Sequence, residues 1–226
     1  MLKRKLALAA MSLVAASITV ARQAGPAAPQ QALASQIATG KSVRLQKFPA
    51  TWALVRDVKG SYGRHEVVFR EMMQYVGENY RALGDCFGIY PMDPDAVKQG
   101  ELSWQVGVRI VPGKPLGFGE RVEFSDGAMR AAMNLKADRK KLKSAAAPYR
   151  IVLIEAAEAA VVESTVADSA KDGLAMFRWM AENSRVQVAP TRMEYLSHEG
   201  APNQIKTRII VPVEKRASGL SVPAGK

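Results

Sequence analysis

The chain has 226 residues, 48% hydrophobic and 23% charged, ordinary globular values that exclude a wholly disordered chain and a polytopic membrane protein. Its formal charge of +11 invites a nucleic-acid or anionic-surface reading, while its single cysteine, Cys86, excludes an internal disulfide framework and any cysteine-based zinc site. With only His65 and His198 as imidazoles, a metal centre has few ligands to draw on.

In chain order, Lys3, Arg4 and Lys5 precede an apolar run from Leu6 to Ala21 that ends in the small residues Thr19-Val20-Ala21. This is the layout of a secretory leader, and the run is shorter than the roughly 20 residues a spanning helix needs. Residues 1–21 are read as a signal peptide of an exported, periplasmic bacterial protein, with an uncleaved anchor in the inner membrane as the alternative. Removing the leader takes three basic residues with it and brings the charge to about +8. Residues 22–47, rich in Ala, Gln, Pro and Ser, read as a linker, and residues 216–226 as a tail.

The first half of the domain starts with a strand over Thr51 to Val58, broken at Gly60-Ser61-Tyr62-Gly63. Val68, Met72, Tyr75, Val76, Tyr80 and Leu83 then recur at helical spacing, with Gly84 as the stop. A strand from Cys86 to Tyr90 and a Pro/Asp turn at Pro91-Met92-Asp93-Pro94 follow. Leu102, Trp104, Val106, Val108 and Ile110 alternate with polar residues and glycine, the signature of a half-buried strand.

Residues 113–148 are an insertion. It runs from glycine-rich Gly113–Gly119 into a basic helix, Ala128–Lys143, whose Met129, Met133, Leu135 and Leu142 make it a segment for weak contact with an anionic surface or a protein. The second half then repeats the first. Tyr149 to Glu163 reads as strand, with a helix over Glu155 to Ala160 as its competitor. A helix starts at Asp168, Ser169 or Asp172 and carries Leu174, Phe177 and Met180, with Trp179 on its flank. A strand at Met193 to Leu196 and an alternating strand from Ile205 to Val213 close the order. The expected fold is α+β: two tandem β-α-β-β repeats, residues 48–112 and 149–215, with pseudo-twofold symmetry, mostly antiparallel sheets and a ligand cleft between the repeats.

Gly60-Ser61-Tyr62, the helix after it, Gly88-Ile89-Tyr90-Pro91-Met92-Asp93-Pro94 and Trp104-Gln105-Val106-Gly107-Val108 resemble the gyrase-inhibitor-like (GyrI-like) family. That small-molecule or effector-binding fold is also appended to AraC-type and MerR-type activators. In the family a Gly-x-Tyr closes the first strand, and the second repeat carries a Glu-Tyr pair, matched here by Glu194-Tyr195. The resemblance spans about residues 48–215. It departs at Val166-Ala167-Asp168-Ser169, where members often show Gly-Pro-Tyr, and in the long insertion.

Aligning the repeats at Tyr90 and Tyr195 sets Glu194 opposite Ile89, a carboxylate where the other half is apolar; buried, it needs a cation or donors. The residues alone leave it open whether Glu194 is instead an exposed strand carboxylate and the aromatics plain core. The resemblance implies a cleft lined by Glu194, Tyr195, Tyr62, Tyr90, Trp104 and Trp179 that captures a small apolar molecule, cationic where Glu194 meets it, with no cofactor and no catalysis. One alternative is a hydrolase of strained electrophiles, with Glu194 acting on water and Tyr195 or Tyr62 as proton donor. A second is haem or tetrapyrrole binding, as in the related SOUL-type domains, through His65 or His198. Nucleic acid is not an expected partner, because the positive charge is spread along the chain and no binding motif or helix-turn-helix pattern is present.

Overall fold

A computed structural model of the chain describes residues 41–91, 97–123, 135–197 and 200–216. The leader, most of the linker, the tail, the turn at 92–96, the first part of the basic helix and His198 lie outside the described residues. The strands are β1 (Arg44–Phe48), β2 (Thr51–Lys59), β3 (Arg81–Ile89), β4 (Ser103–Val111), β5 (Tyr149–Ile154), β6 (Ala157–Thr165), β7 (Arg185–Gln187), β8 (Arg192–Tyr195) and β9 (Lys206–Lys215). The helices are α1 (His65–Asn79), entered through a 3-10 turn at Tyr62–Arg64, α2 (Leu135–Lys141) and α3 (Ser169–Glu182).

All strand pairs are antiparallel, in the order β1-β6-β9-β8-β3-β4-β2-β5, with β7 on β9. This order is symmetric. Exchanging β1 with β5, β2 with β6, β3 with β8 and β4 with β9 reverses it, so a pseudo-twofold axis passes between β3 and β8. The leading strand of each repeat lies against the other repeat: β1 pairs with β6, and β5 with β2.

One register closes the sheet. Arg44 faces Val161 and Phe48 faces Ala157; beyond the bend at Pro49-Ala50 and Glu155-Ala156, Thr51 faces Ile154 and Arg56 faces Tyr149, without a slip. Residues 44–56 and 149–161 therefore form one bent antiparallel ladder that joins both ends of the strand order. The result is a small barrel-like sheet with helices outside and a narrow interior.

The two faces carry separate cores. On the outer face, Val68, Phe69, Met72 and Val76 of α1 pack on Val106, Val108 and Ile110 of β4, while Met176 and Met180 of α3 pack on Ala160, Val162, Ile209 and Val211. The helices form where these apolar side chains recur every three to four residues. The inner face holds Phe48, Ala159, Val161 and Ile210 beside Ala53, Val55 and Phe87.

Four expectations change. Helix α1 stops at Asn79, and Leu83 and Gly84 lie in β3. Gly84 adopts φ +66°, and the β3–β4 register shifts between Leu83 and Cys86, so this glycine bulges a strand instead of ending a helix. The strand over Tyr149 to Glu163 is split by its bend into β5 and β6. The boundary placed after residue 47 falls inside β1, whose strand state comes from pairing with β6. Strand β4 is covered on both faces: Arg109, on its polar side, is 3% exposed because the sheet closes over it. The insertion docks on the first repeat through Val122 beside Leu83 and through Gly117 N–H donating to the Gly77 carbonyl (3.2 Å).

Gly107 on β4 faces Phe87, and a Cβ there would stand 2.3 Å from the ring. Gly107→Val overpacks the barrel interior and is expected to lower stability by about 1–3 kcal/mol. Urea denaturation checks this; an unchanged midpoint would show that the interior can yield.

Candidate functional site

Alternation along β8 sends Arg192 and Glu194 to the inner face and Met193 and Tyr195 to the outer one. Glu194, 3% exposed, is clasped from both sides: Arg109 Nη1 lies 2.5 Å from Oε1 and Arg208 Nη1 lies 3.4 Å from Oε2. Arg208 also reaches Glu163 at 3.5 Å, and Arg44 meets Glu163 at 2.9 Å, so alternating charges run from the barrel rim to its interior. The Arg109 guanidinium lies 5.8 Å from the Phe87 ring centre and 6.0 Å from that of Phe48.

The expected aromatic cluster exists, but on the other side of the sheet. Tyr62 meets Tyr90 edge-on at 5.0 Å, Tyr90 stacks on Trp104 at 5.7 Å, and Phe69 lies 4.9 Å from Tyr195. Tyr90 and Tyr195, the pair that aligned the repeats, share a hydroxyl–hydroxyl bond of 2.8 Å across the pseudo-twofold axis. Trp104 Nε1 donates to the Gly60 carbonyl at 3.1 Å. All four predicted side chains are buried beneath α1. Burial pushes the Tyr90 phenol well above its ordinary range, reinforced by Tyr195, and burial also raises Tyr195. Trp179 lies apart, packed against the α3 core. The structure thus brings Tyr62, Tyr90, Trp104 and Tyr195 together and separates them from Glu194, since neighbouring strand residues point to opposite faces.

His65 donates from Nδ1 to the Tyr62 carbonyl (3.0 Å) and stacks near Tyr195 (6.4 Å), with burial holding its pKa down against that hydrogen bond. Cys86 is buried in the same core, and burial pushes its thiol up to about 12, which keeps it protonated. Among the described residues no three His, Cys, Asp or Glu gather as a metal-binding group.

Among the described residues, two grooves open to solvent stand out. One, of about 440 Å³, lies between α1 and β5; its Arg56 is paired with Glu71 (2.5 Å), and its Tyr75 and Tyr149 stack at 4.1 Å. The other, of about 310 Å³, lies where the repeats meet, between Ile89-Tyr90-Pro91 at the end of β3 and Gln187–Thr191 before β8. Although smaller, the second is the stronger candidate. Both repeats wall it, its surface is mainly apolar, and it opens beside the buried charges of β8. The residues missed in the sequence are Arg109, Arg192 and Arg208; the one legible signal is Arg192-Met193-Glu194, which sets a cation and an acid on one face of a strand.

No protein-family model matches the chain. No curated protein matches it in sequence. Among solved structures, the EcmrR–DNA complex within an EcmrR–RPo assembly aligns at 12% identity and TM-score 0.58, over 83% of this chain and 62% of that one. The EcmrR C-terminal domain aligns at 14% identity and TM-score 0.51, over 78% of this chain and 99% of that domain. The chain therefore spans under two thirds of the EcmrR chain and nearly all of its C-terminal domain, and it shares the GyrI-like fold of that domain. SAV2435 bound to tetraphenylphosphonium aligns at 13% identity and TM-score 0.41, over 76% of this chain and 94% of that one.

Glu194→Gln leaves Arg109 buried without its carboxylate and is expected to cost about 3–5 kcal/mol, whereas Arg109→Met with Glu194→Leu removes both charges and is expected to restore most of that loss. Chemical denaturation of the three chains checks it. A single variant as stable as the parent would mean that the pair carries no weight.

Proposed function

We propose that the chain is a GyrI-like binding module that holds a small, largely apolar molecule in the groove between its repeats, and that it is exported by its N-terminal leader. The observation that carries the reading is the groove itself: Ile89, Tyr90 and Pro91 from one repeat face Val188, Ala189 and Pro190 from the other, in a space of about 310 Å³ at the lower end of ligand sites. The fold supports it, because this seam, where β3 of one repeat pairs with β8 of the other, is the junction between the repeats. The attraction for a cation expected of Glu194 is already met by Arg109 and Arg208, so the proposal does not rest on a cationic ligand.

Neither alternative gains comparable support. Glu194 and Tyr195 face opposite sides of β8 and do not converge on one reacting atom, and His65 is tied by its hydrogen bond to Tyr62. His198 lies outside the described residues.

Calorimetric titration with decanol, a neutral apolar probe, tests the groove. Ala189→Trp fills it, and is expected to weaken binding at least tenfold while circular dichroism stays unchanged. Equal affinity in parent and variant would place the ligand elsewhere.

Export is read from the mass of the chain recovered from the periplasm. Loss of residues 1–21 is expected, and an intact chain in the membrane fraction would favour the anchor.

A further inference from the structure

Arg192 is the unbalanced charge of the barrel. It is 6% exposed, its Nε is buried without a hydrogen-bond partner, and among the described residues no carboxylate stands within ion-pair distance of it. The nearby acids are engaged elsewhere: Glu194 by Arg109 and Arg208, and Glu163 by Arg44 and Arg208. A guanidinium removed from water without a counter-ion is costly. Burial and the Arg109 charge draw its pKa down to about 10, with Glu194 opposing, which leaves it cationic at neutral pH.

Its position ties it to the groove. Thr191, the preceding residue, lines that groove, as does Ile89. Phe87 faces Glu194 and Gly88 faces Met193, so the next step of the same register sets Ile89 across from Arg192. The groove is thus apolar at its walls, and at the end formed by Thr191 the next residue, just beyond the lining, is Arg192.

We infer that the ligand is an anion, an apolar molecule ending in a carboxylate, and that Arg192 receives the carboxylate. The guanidinium fork matches two carboxylate oxygens, and the ligand would supply the counter-charge that the chain withholds. A lipophilic cation would meet like charge at that end. This inference rests on the groove being the binding site and adds the charge of its occupant.

The test titrates decanoate, decanol and decyltrimethylammonium, equal in chain length and different in head group, into the unaltered chain and into Arg192→Gln. Decanoate is expected to bind at least tenfold tighter than decanol, with decyltrimethylammonium the weakest. In Arg192→Gln, decanoate should fall to the affinity of decanol while decanol itself is unchanged, a split that a merely structural role for Arg192 would not produce. Similar affinities for all three heads, or a preference for decanoate that survives Arg192→Gln, would overturn the anionic ligand and leave the groove standing. Binding of none of them would overturn both. The three-probe comparison on the unaltered chain decides the charge even if the variant does not fold.

Discussion

The ladder between residues 44–56 and 149–161 is the constraint on which the rest depends. An open sheet with helices on one side would leave its other face in water, where arginine and glutamate need no partners. Closing the sheet removes that option. Inner side chains are then stabilised by being apolar, as Phe48, Ala53, Val55, Phe87, Val161 and Ile210 are, or by being matched in charge, as Arg109 and Glu194 are, and Arg192, which is neither, bears a cost. A buried ion pair adds little stability over well-packed apolar residues, but it penalises any arrangement that parts the two charges. Here the arrangement it favours is the one that holds β4 of the first repeat near β8 of the second.

The doubled order of elements was legible because each step is local. Alternation marks β4 and β9, helical spacing marks α1 and α3, and turn residues separate them. Aligning Tyr90 with Tyr195 was sound as well, and the two hydroxyls meet at the symmetry axis. Closure was not legible, since it rests on a register between segments about a hundred residues apart. The same gap hid the partner of Glu194. Arg109 sits on the polar side of an alternating strand, which in sequence looks like the solvent side. Gly84 misled for a different reason: a positive φ serves a bulge as well as a helix end.

The repeats share a scaffold and differ in chemistry. In the first, Tyr62 enters the core at the start of α1 and the helix is seated by aromatic contacts. In the second, Asp172 is buried in the first turn of α3, where its carboxylate accepts from Ser164 Oγ (2.5 Å) and Lys41 Nζ (2.7 Å). Across the axis, Ile89 on one side answers Glu194 on the other. Symmetry therefore supplies two equivalent places at the seam, and sequence divergence makes them unlike, one oily and one charged. The walls of the groove, Ile89-Tyr90-Pro91 and Gln187–Thr191, differ in sequence as well, so they can orient an asymmetric molecule, which a perfectly symmetric groove could not.

The exchange of β1 and β5 between the repeats has a bearing on how the chain is made. Because β1 belongs to the sheet of the second repeat, the first of the described strands to leave the ribosome is among the last to find its neighbour, and it waits until β6 has been synthesised. Neither half completes its sheet by itself, so a fragment ending at the insertion would expose the edge of β2 that β5 covers. The insertion between the repeats is thus the tether across which two incomplete halves become one cooperative unit.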